Sequence, residues 1–286
     1  MSLSWETFPI LSSALLMRRY SPPPSVSAMD EPGPPIWPAV EQAVEALRIS
    51  DGTGIKVAII DSGVEVTHPA LEGIQLADDI SVSCDGVNLK IEEGVGSDVY
   101  GHGTAVASLV LKEAPGVTLG SFRALDSSNH ARSFVIAECV NQAMARGYQI
   151  INCSFGCRGL PRYVMDYKEW VDRAYLQGVQ IVAACSNVGA GIREWPAYFP
   201  SVLSVRGIDC AEDEFFFRPE RMVSFLAQGE RVEVPWLNGG TKIETGSSFA
   251  APLIAGKIAK LMAGIPGISP ASIKPLLSML AKPEEA

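Results

Sequence analysis

The sequence predicts an α/β domain with a mostly parallel central sheet and helices on both of its faces. Two observations predict it: unbroken apolar, β-branched runs, and segments of helical period that separate them. The runs are Lys56–Ile60, Thr118–Leu125, Ile150–Ser154, Gln180–Ala184 and Val202–Ile208. A strand that is apolar on both faces must be covered on both faces, as parallel strands between two helix layers are. The helices fall at His102–Lys112, Ser133–Arg146, Asp166–Leu176, Ser247–Met262 and Pro270–Met279.

In chain order, residues 1–50 read as an N-terminal arm ahead of one α/β domain at 51–286. Pro22, Pro23, Pro24, Pro32, Pro34, Pro35 and Pro38 keep 21–38 out of helix and central strand. Ala39–Leu47 has helical spacing and reads as a short helix. No fixed-period repeat follows.

Composition narrows the function classes. With 47% apolar and 19% charged residues, the 286-residue chain buries a full core, which excludes a mostly disordered protein. No apolar run is long enough for a transmembrane helix. The formal charge of −9 repels phosphate backbones and anionic lipid, so nucleic acid and membrane are not expected partners. Oligomeric state leaves no trace in the sequence. Cys84, Cys139, Cys153, Cys157, Cys185 and Cys210 contain no Cys-x-x-Cys pair, so no zinc site or other cofactor is expected. Cys153 and Cys185 lie within apolar runs and read as small buried hydrophobes. The apolar stretch Ile10–Met17 is followed, not preceded, by Arg18 and Arg19, which argues against a secretory signal and for the cytoplasm.

In open parallel sheets, sites form where strand C-terminal ends meet helix N-terminal ends. Three polar segments occupy such ends. Asp61 closes a buried strand in Ile59-Ile60-Asp61-Ser62-Gly63, and on its own could cap a turn. His102 opens a helix between Gly101 and Gly103, where glycine weakens the helix and the dipole disfavours imidazolium. Ser247 and Ser248 open another helix in Gly246-Ser247-Ser248-Phe249-Ala250-Ala251-Pro252. An N-cap explains one serine but neither the second nor Pro252 in the first turns. Together these supply an acid, a base and a hydroxyl. Serine becomes a nucleophile only when histidine takes its proton, and a carboxylate must hold the imidazole in the right tautomer.

The order Asp, His, Ser and the motifs around those residues resemble the subtilases. The likeness includes Ile151-Asn152-Cys153-Ser154-Phe155-Gly156 and Val182-Ala183-Ala184-Cys185-Ser186-Asn187, and spans roughly residues 52–265. The resemblance implies a three-layer subtilisin-like fold and a serine endopeptidase that works through an acyl-enzyme. It implies Ser248 as nucleophile, His102 as general base then acid, Asp61 as orienting carboxylate and Asn187 as oxyanion donor. Ser154, Phe155, Gly156, Ala184 and Glu194 would bind substrate. Glu194 resembles a replacement of a small residue on the specificity-pocket floor, where a carboxylate would favour Lys or Arg before the cleaved bond; it could instead face solvent or pair with the neighbours of Arg193.

Several positions depart from the family pattern. Ala105 and Ser247 stand where His and Thr are common, and Ser186 replaces the glycine before the oxyanion asparagine. About 50 residues precede Ile55, so the chain is expected to fold without a prodomain or to be a mature or truncated form. His102 to Pro115 is compact, and Asp78, Asp79 and Asp85 are weak calcium candidates, so no calcium requirement is expected. These features resemble short subtilases that process peptide precursors. The alternative is a silent or cleft-blocked subtilase fold that binds peptides, with the arm or Glu212-Asp213-Glu214-Phe215-Phe216-Phe217 as the blocking segment. That insert reads as either a partner-binding loop or a loop packed on the core.

Overall fold

Alternate side chains of one strand enter two different cores, which fixes the layering. Strand β1 (Lys56–Asp61) sends Val57 and Ile59 to one side of the sheet and Ala58 and Ile60 to the other, all fully buried. The computed structural model of the chain describes residues 37–158, 161–188, 192–218 and 223–283. The proline-rich arm up to residue 36 lies outside them. The short helix reads out as α1 (Val40–Ile49). Its Ala43 and Ala46 are buried in the same core as Val57 and Ile59, so the packed body extends ahead of residue 51.

The expected β/α alternation follows: α2 (His102–Glu113), β4 (Thr118–Arg123), α3 (Ser133–Ala145), β5 (Ile150–Cys153), α4 (Pro161–Leu176), β6 (Gln180–Ala184), β7 (Leu203–Ile208), α5 (Ser247–Gly264) and α6 (Pro270–Leu280). Strand β4 stops two residues short of the expected Leu125. Strand β1 ends at Asp61, and the Ala124 and Leu125 N–H groups both donate to its carbonyl, at 2.9 and 3.1 Å, which closes the ladder there. Helix α4 starts ahead of the expected Asp166, with a proline at its first position, where the missing N–H costs nothing.

The sequence pattern did not reveal β2 (Asp78–Asp85), β3 (Asn88–Glu93), β8 (Phe215–Phe217), β9 (Phe225–Gln228), β12 (Lys282–Pro283) or the hairpin of β10 (Val232–Trp236) and β11 (Gly240–Glu244). All but the hairpin join one sheet, ordered β12-β8-β9-β7-β6-β5-β1-β4-β2-β3, in which only β2–β3 and β8–β9 pair antiparallel. The centre of the sheet is therefore the predicted parallel core, and the missed strands extend its two edges. Side chains of α1, α2, α5 and α6 cover one face and those of α3 and α4 the other, giving three layers. Phe215 is buried and Phe217 meets Phe225 with ring centroids 5.3 Å apart, so the three phenylalanines of that insert form a packed strand. No described helix is long and apolar enough to cross a membrane.

Candidate active site

Strand β1 ends at Asp61 with its carboxylate 1% exposed, a position that demands hydrogen-bond donors. Ser62 N–H donates to Oδ1 at 2.8 Å, and His102 Nδ1 lies 2.9 Å from Oδ1 and 3.0 Å from Oδ2. His102 is the first residue of α2, and the glycines beside it have separate reasons. Gly101 caps the helix at φ 106°, and a Cβ there would strike the Trp236 indole at 2.7 Å. At Gly103 a Cβ would stand 2.0 Å from the Gly63 carbonyl, so only glycine lets α2 approach the end of β1 this closely. The approach sets the Asp61–His102 contact.

Burial disfavours the charged imidazole, but the Asp61 charge and hydrogen bond more than offset it. Asp98 and Glu244 add to the attraction, and the His102 pKa ends above its ordinary value.

Helix α5 begins with the two serines, and the structure separates their roles. Ser247 is 1% exposed and its hydroxyl accepts the Gly207 N–H at 3.1 Å, tying the helix start to β7. Ser248 is half-buried, next to Phe249, whose ring centroid lies 5.5 Å from that of His102. Among the described residues the Ser248 hydroxyl makes no hydrogen bond to His102; in sites without substrate that contact is often long and closes on binding.

Pro252 also acquires a reason. A residue there would normally donate its N–H to the carbonyl four residues back, that of Ser248, and proline has none to give. Ser154 Oγ donates to the Ser248 carbonyl instead at 2.9 Å, and Asn152 Nδ2 donates to Ser154 Oγ at 2.8 Å. The segment after β5 is thereby fastened to the start of α5.

Asn187 is held in the same way: its Oδ1 accepts the Ser247 N–H at 2.8 Å, which turns the amide nitrogen outward. A Cβ built on Gly246 would meet Ser248 Oγ at 3.1 Å and Asn187 Nδ2 at 3.3 Å, so both atoms face one small space. Ser186, in place of glycine, accepts the Val188 N–H at 3.3 Å and leaves Asn187 anchored.

Phe155 and Gly156 continue from Ser154 along a cavity of about 670 Å³. Cys157 and Trp195 exchange backbone hydrogen bonds at 3.0 Å, which sets Arg158 opposite Glu194. Arg158 Nε donates to Glu194 Oε1 at 3.0 Å, and Glu194 Oε2 lies against Gly156, 2.6 Å from where a Cβ would be. Glu194 is thus paired with Arg158, a partner 36 positions away that the sequence did not suggest. Ala184 is buried at the end of β6 in the core on the α5 side.

Asp98 was not singled out from the sequence. Its carboxylate receives N–H groups of Tyr100, Gly101 and Thr104 at 2.8–2.9 Å. An acid four residues ahead of a helix-opening histidine was the available signal, since the first turn's free N–H groups seek an acceptor. Asp78 is engaged by Arg146 Nε at 3.1 Å and Tyr148 Oη at 2.7 Å, and Asp79 accepts the Gly96 N–H. Among the described residues no three His, Cys, Asp or Glu side chains cluster as metal ligands. Burial pushes the Cys153 and Cys185 thiols above their ordinary range, so neither supplies a thiolate near neutral pH.

The subtilase family model matches residues 52–285. Subtilisin DY of Bacillus licheniformis is 28% identical over 80% of this chain and 84% of its own length. The major intracellular serine protease of Bacillus subtilis is 29% identical over 73% of this chain and 68% of its own. Among solved structures, the S41 psychrophilic protease superposes with a TM-score of 0.67 at 26% identity, covering 80% of this chain and 84% of that one. A cold-adapted subtilisin-like serine proteinase gives 0.63 at 24% identity, over 81% and 83%, and shares the fold. The family match begins ahead of β1 and ends beyond β12, enclosing the whole ten-stranded sheet: the chain belongs to the subtilase family and is a serine endopeptidase.

Proposed function

We propose that the chain hydrolyses peptide bonds through an acyl-enzyme on Ser248, with His102 as general base then acid and Asp61 as the orienting carboxylate. One observation carries this reading: a buried His102–Asp61 pair packed on the first turn of the helix that Ser248 opens. Ser248 Oγ attacks the scissile carbonyl carbon as its proton passes to His102 Nε2. The resulting oxyanion is held by the Asn187 amide and the Ser248 N–H, which the shared space beside Gly246 supports. The intermediate collapses as His102 gives the proton to the leaving amine. Water, activated by the same ring, then cleaves the ester.

Fluorophosphonate labelling followed by mass spectrometry tests the reading, since the probe needs the base and the oxyanion donors together. Modification at Ser248 is expected. A folded protein left unmodified would instead favour a peptide-binding module without turnover.

Asn187→Ala is expected to lower kcat by roughly 10²–10³ with little change in KM, because the amide serves charge that develops only in the transition state. Steady-state kinetics checks it, and a KM effect alone would contradict it.

The raised His102 pKa gives a pH prediction with a definite sign. A protonated ring cannot accept the serine proton, so activity rises as pH climbs through that pKa. The acid limb of kcat/KM is expected above the ordinary histidine value of 6.5. The same shift stabilises the fold below that ordinary value and is lost as pH rises through the raised one.

The Arg158–Glu194 pair bears on specificity. The guanidinium, 56% exposed, neutralises a carboxylate only 15% exposed beside Gly156, so a basic side chain before the cleaved bond meets no free charge. Wild-type enzyme is expected to lack a strong Lys or Arg preference. Arg158→Gln frees Glu194 and is expected to raise cleavage after Lys and Arg over Leu by roughly tenfold in matched peptides. An unchanged ratio would remove Glu194 from the specificity wall.

Processing of peptide precursors inside the cell is the finer reading. It is supported by the six free cysteines and by a relative named as an intracellular protease. Cleavage confined to a few sites across a peptide library would support it; broad digestion would not.

A further inference from the structure

Asp98 accepts five hydrogen bonds, and their donors come from both sides of the Asp61–His102 contact. Oδ1 takes Ser62 Oγ at 2.8 Å and the N–H groups of Tyr100 and Gly101 at 2.9 and 2.8 Å. Oδ2 takes Thr104 N–H at 2.8 Å and Thr104 Oγ1 at 2.7 Å. A carboxylate offers about four lone-pair sites, so this one is saturated. Ser62 follows Asp61 directly, and its hydroxyl also accepts the Gly103 N–H at 3.0 Å. Thr104 Oγ1 in turn accepts the Glu65 N–H at 2.9 Å. Together these bonds join the loop after β1, the segment Asp98–Gly101 and the first turn of α2.

The cap is needed because Gly101, the N-cap residue, has no side chain to offer. An ordinary cap would satisfy the helix ends alone. Asp98 also ties the residue after Asp61 to the residues on either side of His102. With the helix held from outside, the imidazole depends less on its own bond to Asp61 for its placement.

We propose that Asp98 is a positioning residue of the peptidase site, clamping the start of α2 so that His102 keeps its register with Asp61. The inference rests on His102 being the base of the proposed mechanism. Asp98 also contributes charge. The charged groups acting on His102 are Asp61 from β1, Asp98 from the preceding loop and Glu244 from β11, all of which favour imidazolium.

Asp98→Asn separates the clamp from ordinary support of the fold. Its oxygen can still serve the donors at Oδ1, but its amide nitrogen would face the Thr104 N–H, donor against donor. A kcat loss of roughly 10² is expected with KM little changed, the scale of a misplaced catalytic group. The acid limb of kcat/KM is expected to move to lower pH. NMR titration of the His102 ring, assigned with His102→Ala, should show the same downward shift, which loss of packing elsewhere would not produce. An unmoved His102 titration together with kcat within threefold of wild type would overturn the proposal.

Thr104→Val removes the hydroxyl's two bonds, to Asp98 and from the Glu65 N–H, while keeping shape and charge, and decides the matter if Asp98→Asn does not fold. A lower kcat with an unshifted pH limb is expected, and wild-type kcat in this variant would overturn the clamp. If wild-type enzyme neither labels nor cleaves, the proposed function fails. The Nδ1–H proton resonance of His102 in Thr104→Val still tests the clamp without turnover: a displaced resonance is expected from a disturbed bond to Asp61, and a wild-type resonance would overturn the clamp.

Discussion

Ser248→Ala is expected to lower kcat by about 10⁶ while leaving the melting temperature within a degree or two of wild type. The magnitude is the one known for loss of the triad serine or histidine in subtilisin, a relative. The separation of rate from stability is particular to this chain. The backbone of Ser248 is fastened through its carbonyl to Ser154, whereas its hydroxyl makes no hydrogen bond among the described residues. Ser247→Ala, one residue away, is the matched control with the opposite outcome. Its buried hydroxyl accepts the Gly207 N–H, so its removal should cost about 1–3 kcal/mol of stability in denaturant melts and much less activity. His102→Ala should match Ser248→Ala in kcat, and the double variant should be no worse than either, because the two act as one unit. Residual activity of Ser248→Ala above a thousandth of wild type would place the nucleophile elsewhere.

Asp61→Asn is expected to lower kcat by about 10⁴ near neutral pH. Both Asp61 oxygens lie within 3.0 Å of His102 Nδ1, and Oδ1 also takes the Ser62 N–H. Asparagine has one oxygen for these two donors. Once it serves Ser62, its NH₂ faces Nδ1 and selects the tautomer that carries the proton on Nε2, where the serine proton must go. The charge that lifts the His102 pKa is also lost, so the acid limb should move downward as the rate falls. Kinetics across pH checks both effects. A loss below tenfold would mean that the carboxylate only fills space.

Much of the site was legible because its parts are local. An acid closing a buried strand, and a histidine and a serine opening helices, are patterns within a few residues of chain, and their order pointed to the family. Other features were visible but had no reason until the fold supplied one. Pro252 looked misplaced until Ser154 was found donating to the Ser248 carbonyl. The second serine looked redundant until Ser247 was found bound to β7. The edge strands β3 and β8 escaped notice for a different reason. All six residues of β3 are exposed and carry no apolar run, and β8 has only three residues.

The parallel core, the two helix layers, and the acid, base and hydroxyl at their junctions were all written locally along the chain. Periodicity and turn chemistry are properties of neighbouring residues, and they survive without knowledge of what packs where. What those residues touch was settled in three dimensions. Arg158 lies 36 positions from Glu194, Ser154 lies 94 from Ser248, and Asp98 lies 36 from Ser62. Each contact depends on strand register and on how closely α2 and α5 approach the sheet. A shift of one residue in the Cys157–Trp195 pairing would turn Arg158 away from Glu194 and leave a bare carboxylate beside the cleft. Charge at the site is thus a product of long-range pairing, which no local pattern encodes.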